Sequence, residues 1–502
     1  MKIKHLVSLI AITAALSACN MAPDFIKPEV SKTEAFKEAP TDKELSAKEI
    51  GTWKVAEPSA ALPRGEWWRV FGDEKLNALV EQAVAGNENV KVYAARVKQA
   101  RATAKVSRSY LFPTIDNTSS FTRRQPNAVG RGLAPGSALA IENDALTSFG
   151  LNYELDVFGS VRGGWLASRL DAKAAAATYQ SVKLALQADV ADLYFSLRAT
   201  DRDIDILNRG LNLRQQNARI LEKKSDAGDI TELDVASSVV DLENTRAQLH
   251  AAEQQRSELE HALALALGKA PMDFTFEKEN IVTKIPVIPA GLPSSLLERR
   301  PDVTAAQKAL EASNERIGVA RAAFFPSLFL TGSGGFESDV LGSLFNWSSR
   351  SWAIGPLMTV PIFGGGRAVA NLDRSKAQYE EAVHIYRGQV LESFRDVEDS
   401  LSRLRMLSRQ ANAQYRAEHA SKRAAQIAKL RYDEGDLGYL ESITARREAL
   451  ESERSGVEIK RARLSATVQL IRALGGGWDA PAAKPETPAA PATPAKAEKK
   501  NG

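Results

Sequence analysis

The 502-residue chain has a single cysteine, Cys19, and five scattered histidines, His5, His250, His261, His384 and His419. One thiol excludes an internal disulfide, and histidines without an H-E-x-x-H or Cys-rich spacing leave zinc no ligand set. Glycine clusters such as "FGGGR" lack the Gly-Lys-Ser/Thr ending that a phosphate-cradling loop requires. Charge of one sign is missing too, with 66 Lys and Arg against 62 Asp and Glu. The small excess sits in Lys2, Lys4 and the tail after Asp479, so the body is near neutral and offers no basic face for nucleic acid. Proline is absent from 162–227 and from 367–434. With no proline to break them, these stretches exclude a chain of short elements.

At the N-terminus, Lys2 and Lys4 precede an apolar run from Leu6 to Leu16 that is too short to cross a bilayer as a helix. This is the form of a signal h-region, and residues 1–18 are expected to be removed. Ser17 and Ala18 before Cys19 resemble a bacterial lipoprotein box, which makes Cys19 the expected site of palmitate-type acylation. Acyl chains anchor through about 0.8 kcal/mol per buried CH₂. An incidental cysteine after a plain signal peptide is the alternative. Asn at residue 20, in place of Asp, goes with sorting to the outer membrane by the same resemblance. Residues 19–65 read as an extended linker, and 479–502 as a disordered Pro/Ala/Lys tail.

Between them the chain repeats itself. "VSRSYLFPTI" (106–115) parallels "VARAAFFPSL" (319–328), "DVFGSVR" (156–162) parallels "PIFGGGR" (361–367), and "DAGDITEL" (226–233) parallels "DEGDLGYL" (433–440). Three landmarks in the same order, roughly 200 residues apart, make the body two copies of one unit. The units are 66–285 and 286–478. Each is expected to hold a helix, a β-hairpin (113–158 and 326–363) and a long helical hairpin (162–268 and 367–474). The first helix is expected over Trp67–Ser109, with Leu76, Leu79, Ala83, Val90 and Tyr93 on one face and Pro113 as its stop.

The strand expected at Thr147–Val157 alternates, with Phe149, Leu151, Tyr153, Leu155 and Val157 opposite Ser148, Gly150, Asn152, Glu154 and Asp156. In the second unit Trp352, Ile354, Pro356, Met358, Val360 and Ile362 share a face. About nine to eleven residues suffice for a tilted transmembrane strand, although a half-buried soluble hairpin fits the alternation as well. The proline-free stretches would each give a helix of about 100 Å with an Ala-rich seam, as in a coiled-coil barrel stave. A strand survives in lipid only in a closed barrel, and two hairpins fall short of the eight strands of the smallest known. Three chains would supply twelve. Phe158 and Phe363 then mark the lipid boundary, and Gly159 and Gly364 the bend from strand to helix.

These features resemble the TolC-like outer-membrane efflux proteins, and most closely their acylated OprM-type branch. The resemblance runs from Cys19 to about Trp478. It rests on "PDFIKP" (23–28), "WWRVFGDEKLNALVEQAVAGNENV" (67–90), "LERRPDVTAAQKALEASNERIGVARAAFFPSL" (297–328) and both Phe-Gly strand ends. It implies a mainly α fold with transmembrane β: a homotrimer sharing a 12-stranded outer-membrane barrel, continued by a helical periplasmic barrel. It also implies a periplasmic adaptor and an inner-membrane pump of the resistance–nodulation–division type as partners. No enzyme activity, cofactor, metal or nucleic acid is implied. The function implied is a passive exit duct for drugs and other small molecules, and hence antibiotic resistance. Exit of a secreted protein, or a periplasmic adaptor or scaffold role, stands as the alternative.

The same resemblance assigns the Gly228 and Gly435 turns to the periplasmic tip, with Asp234, Tyr432 and Glu441 at its gate. Leu437 and Thr444 stand where relatives carry an arginine and a second aspartate, so the family's hydrogen-bond lock does not carry over. Read without the resemblance, Asp234 and Glu441 are ordinary acids at the start of a helix.

Overall fold

The computed structural model describes residues 20–30, 36–38, 66–127, 129–280, 285–286 and 300–476. The expected signal peptide, Cys19, most of the 19–65 segment and the tail lie outside the described residues. Among the described residues there are seven α-helices and four strands: α1 (Glu74–Gly86), α2 (Glu88–Ser109), β1 (Thr114–Arg124), β2 (Glu142–Leu155), α3 (Ser160–Asp226), α4 (Glu232–Ala266), α5 (Pro301–Ala322), β3 (Ser327–Ser338), β4 (Arg350–Thr359), α6 (Arg367–Asp433) and α7 (Tyr439–Ala473).

The helix expected over Trp67–Ser109 is divided. Trp67–Phe71 is a 3₁₀ turn. Asp73 then caps α1, its carboxylate accepting from the Lys75 and Leu76 amides at 3.1 and 3.2 Å. Asn87 ends α1 and starts α2, its side-chain oxygen accepting from the Val90 amide at 3.1 Å. A helical periodicity cannot register such a break, because an Asn cap costs the pattern one residue.

The proline-free stretches do form single helices. α3 and α6 each have 67 residues, about 100 Å at 1.5 Å per residue. Beside each lie two shorter helices placed end to end. α4 arrives at the α1–α2 break, where the Asn87 amide donates to the Ala266 carbonyl at 3.0 Å. Gly268, with φ of 73°, lies so close to the Gly86 carbonyl that no Cβ fits. α7 arrives at the start of α5, where the buried Arg300 guanidinium donates to the Ala473 carbonyl at 3.2 Å. Arg300 also pairs with Asp302 and with Asp396 of α6, at 2.6 and 3.1 Å. Burial pushes the Arg300 pKa down, but these two carboxylates more than offset it. The α3–α4 and α6–α7 hairpins pack together through α3 and α7, and α5 lies between α3 and α6.

The main core gathers at the first joint: Trp68, Phe71, Leu76, Val80, Phe195, Leu197, Leu263 and Leu464. Each such side chain contributes about 1.5–3 kcal/mol on burial. The N-terminal segment, expected as an extended linker, has no helix or strand where it is described but is pinned there. The Pro23 carbonyl accepts from Asn314 of α5 at 2.7 Å, and Phe25 and Val30 pack with Leu310, Tyr386 and Val390. Phe36 is buried against Val397 and Leu401, and the Glu398 carboxylate accepts from the Lys37 and Glu38 amides at 2.7 and 2.9 Å.

The strands form one antiparallel sheet in the order β1-β2-β3-β4. Its registers run without a bulge, for example Ile115 opposite Leu151, Leu151 opposite Gly332, and Gly332 opposite Ile354. One face therefore collects Ile115, Phe121, Phe149, Leu151, Tyr153, Leu155, Leu328, Leu330, Phe336, Trp352, Ile354 and Met358. The other collects Asp116, Glu142, Asp144, Glu154 and Glu337, with Arg124, Leu146, Phe329 and Leu357, among Ser, Thr, Asn and Gly. The apolar face is open, with Trp352 75% and Ile354 68% exposed. Among the described residues, β1 and β4 each lack a partner on one side.

Candidate functional site

The residues singled out in the sequence fall at the two ends of the long helices. At the distal ends, α3 and α6 close with the same device. The Gly228 amide donates to the Ser225 carbonyl at 2.9 Å and the Asp229 amide to Lys224 at 2.8 Å; Gly435 and Asp436 do the same to Tyr432 and Arg431 at 3.0 and 2.8 Å. The two glycines have φ of 76° and 83°, the left-handed region in which a Cβ is costly.

Asp234 and Glu441 take the same place after these turns, in the first turn of α4 and of α7. Asp234 accepts from the Thr231 amide at 3.1 Å and from its hydroxyl at 2.7 Å. Thr231 is replaced by Gly438 in the second turn, and the Glu441 carboxylate folds back over the space its missing side chain leaves. Tyr432 packs against Tyr439, ring centroids 5.1 Å apart and inclined at 60°. Burial, with Tyr432 beside it, pushes the Tyr439 hydroxyl up. Within the protomer the structure brings Tyr432 to Tyr439, not to Asp234 or Glu441.

The near ends carry the strand-to-helix bends, and the two are built differently. In the first, Gly159 is left-handed at φ 74° and precedes α3 directly. Asp156 leaves the strand to cap the helix, its carboxylate accepting from the Val161 and Arg162 amides at 3.0 and 2.8 Å and pairing with the Arg162 guanidinium at 3.2 Å. β2 consequently stops at Leu155, short of the expected Val157. In the second bend Pro361 replaces Asp156, so that position supplies no capping carboxylate. The left-handed residues there are Gly365 and Gly366, at φ 56° and 82°, so the expected Gly364 is not the bending residue. Phe158 stacks on Phe325, centroids 4.7 Å apart, whereas Phe363 is 92% exposed.

Between the ends the long helices are clamped by ion pairs that sequence reading missed. Glu453 of α7 receives Arg202 and Arg209 of α3, the latter at 2.8 Å, and Arg454 reaches Asp203 at 2.7 Å. Deeper in, buried Asp201 accepts from Arg256 at 2.8 Å and from the Glu279 amide at 3.1 Å, and pairs with Arg198 at 3.4 Å. A charged residue at a helical spacing gives no sign of its partner when that partner lies 55 or 251 positions away. Among the described residues no group of three His, Cys, Asp or Glu is placed to hold a metal ion.

The sequence model of the "Outer membrane efflux protein" family matches residues 79–269 and again 292–476. The chain is 31% identical to outer membrane protein OprJ of Pseudomonas aeruginosa, over 94% of this chain and 96% of that protein. It is 30% identical to the cation efflux system protein CusC of Escherichia coli, over 93% and 97%. Among solved structures it superposes on the Campylobacter jejuni CmeC outer membrane channel with a TM-score of 0.83 and 26% identity, covering 92% of this chain and 96% of that one.

Proposed function

We propose, from the premise that the chain belongs to the outer membrane efflux protein family, a passive duct built by three copies and gated at the distal turns. The chain is an outer-membrane component of a tripartite efflux system. It works with a periplasmic adaptor and an inner-membrane pump, which we take to be of the resistance–nodulation–division type. The cargo class is drugs and other small molecules.

The observation that carries the reading is the sheet. Four strands with one open apolar face and two unpaired edges cannot stand alone in lipid. β1 and β4 run in opposite directions, so pairing β4 with the β1 of the next copy continues the antiparallel order. Three copies close a barrel of twelve strands, with the carboxylate-bearing face toward the lumen. Twelve helical staves continue it: α3, α6 and the end-to-end pairs α4–α2 and α7–α5 from each copy.

The repeat supports the same closure. Phe158 stacks on Phe325, and Val319 packs against Gly163. Their counterparts in the other repeat, Phe112 and Val106, lie exposed on α2 and just beyond its end, and Phe363 is exposed on the opposite flank. These three exposed residues would meet in the same way if the second long helix of one copy lies against α2 of the next.

The N-terminal segment fits a lipid anchor at Cys19. The Met21 carbonyl accepts from Arg321 at 3.3 Å, in the last turn of α5 before β3 begins. That brings residue 20 to the sheet end of the molecule. At the other end, Asp234, Tyr432 and Glu441 form the gate at the periplasmic tip, and the Gly228 and Gly435 turns receive the adaptor. Phe158 and Phe363 lie at the lipid boundary.

The test is single-channel conductance in planar bilayers, comparing wild type with a variant carrying Asp234→Ala, Tyr432→Ala and Glu441→Ala. A nearly closed wild type and a wide-open variant support both duct and gate. Equal conduction by both removes the gate and leaves the duct. Silence from correctly inserted trimers of both removes the passive-channel reading.

A further inference from the structure

The apolar face of the sheet carries no carboxylate, yet it carries two charges. All five strand carboxylates lie on the opposite face, where Arg124 also lies and is paired with Glu142 at 3.0 Å. The two charges on the apolar face are Arg123 of β1 and Arg350 of β4. Both stand at the strand ends farthest from the helices, and both belong to edge strands. Neither is paired with an acid among the described residues.

Arg350 is positioned. Its guanidinium lies 4.4 Å over the Trp347 ring and donates to the Trp347 carbonyl at 2.9 Å. The β3–β4 connection that supplies Trp347 folds onto the apolar side of the sheet, where Phe345 meets Phe336 edge-on, centroids 5.9 Å apart. Ser338 and Ser343 tie its base, oxygens 2.8 Å apart. Leu341, Phe345 and Trp347 stay exposed at 63%, 74% and 74%. An apolar wedge beneath a ring-stacked guanidinium on a lipid-facing surface suits the boundary between acyl chains and headgroups. An unpaired arginine costs about 2–4 kcal/mol at the bilayer midplane but close to nothing at the interface.

We infer that this rim is a binding surface for a phosphate-bearing lipid of the outer leaflet. Leu341, Phe345 and Trp347 enter the acyl boundary, and Arg350 and Arg123 hold the phosphates. Because the two arginines lie on the strands that meet between copies, the phosphates sit along the seams of the barrel. Both would otherwise face lipid without a counter-ion, and a planar guanidinium fork matches phosphate oxygens. The inference rests on the membrane reading proposed above.

The test uses the full-length trimer purified in detergent, with retention of added lipid A read by native mass spectrometry. Wild type is compared with Arg350→Gln, Arg123→Gln and the double variant, and intact lipid A with its dephosphorylated form. Each arginine near an anionic surface contributes about a fivefold effect. Each single variant is expected to bind about fivefold less lipid A, and the double variant about 25-fold less. Dephosphorylated lipid A should bind wild type as poorly as intact lipid A binds the double variant. Equal retention by wild type and double variant, or no preference for the phosphorylated form, overturns the assignment. So does competition by millimolar inorganic phosphate as effective as that by lipid A, which would make the ligand a free anion. Reconstitution of the same preparations into vesicles separates the two readings. A protein that does not insert removes the membrane reading itself, whereas one that inserts and conducts without phosphate preference removes only this site.

Discussion

Removing the Asp201 carboxylate should detach the chain that follows α4 from the long helix α3. Asp201 is buried, as are Arg198 and Arg256, which are only 2% and 8% exposed. It neutralises both and accepts the Glu279 amide at 3.1 Å, so it joins α3, α4 and the segment around Phe276. Burial pushes the Arg256 pKa down, but Asp201 and Glu260 more than offset it and keep the guanidinium charged. Asp201→Ala therefore leaves two buried guanidiniums one carboxylate short, and breaking a buried pair costs about 3–5 kcal/mol. Arg256 keeps Glu260 at 2.6 Å, and Arg198 keeps Glu279 at 3.2 Å and the Glu277 carbonyl at 2.7 Å, which places the cost near the lower bound. About 3 kcal/mol is about a hundredfold in the local opening equilibrium. Asp201→Asn keeps the shape and one acceptor and should cost about 1–2 kcal/mol. The assay is tryptic cleavage after Lys278, together with hydrogen exchange at the Glu279 amide, in detergent-solubilised protein. If Asp201→Ala is cleaved within about threefold of the wild-type rate, or no faster than Asp201→Asn, the junction is not held by this charge.

Three further outcomes follow from the geometry. Gly366→Ala should destabilise by about 1–2 kcal/mol because its φ is 82°, whereas Gly364→Ala, with no positive φ and open space around it, should be nearly silent; thermal unfolding of the two variants separates them. Cysteines replacing Phe112 and Phe363 should form disulfides between copies and give a covalent trimer on non-reducing gels, and a strictly monomeric product would refute the closure. Burial raises the Glu453 pKa, but the Arg209 and Arg202 guanidiniums outweigh it and hold the carboxyl below its ordinary 4.5. Such a depressed acid stabilises the fold above the unfolded-state value and loses that contribution as pH falls through the depressed one. Glu453→Gln should therefore show a flatter loss of stability below about pH 4.5 than wild type does in acid-denaturation curves.

The features legible in the sequence are local ones. The long helices declare themselves through missing proline, their distal ends through Gly228 and Gly435, and the strands through strict alternation. What escaped reading depends on partners far away in the chain or on a single substituted residue. Arg300 gives no sign that it caps a carbonyl 173 residues away. Asp156 reads as one more polar position of a strand until it turns back to cap α3. With Pro361 in that place, the left-handed duty moves from the position of Gly364 to Gly365 and Gly366. The contacts of the N-terminal segment were hidden for a similar reason. Phe25, Val30 and Phe36 are too sparse to make a pattern, yet each finds a slot on α5, α6 or α7. At the distal turns, the sequence places Asp234, Tyr432 and Glu441 near one turn or the other, but each side chain finds its contacts within its own turn.

The joints at Gly86–Gly268 and at Arg300 give the protomer a mechanical asymmetry. α3 and α6 run uncut through the level where their neighbours are spliced, so they act as spars and the spliced pairs as jointed struts. From a joint to the distal turn α4 measures about 52 Å, at 1.5 Å for each of its 35 residues. A pivot of ten degrees at the joint then sweeps the turn through about 9 Å, by the same rise per residue. The leverage lies in the splice, far from the turn it would move.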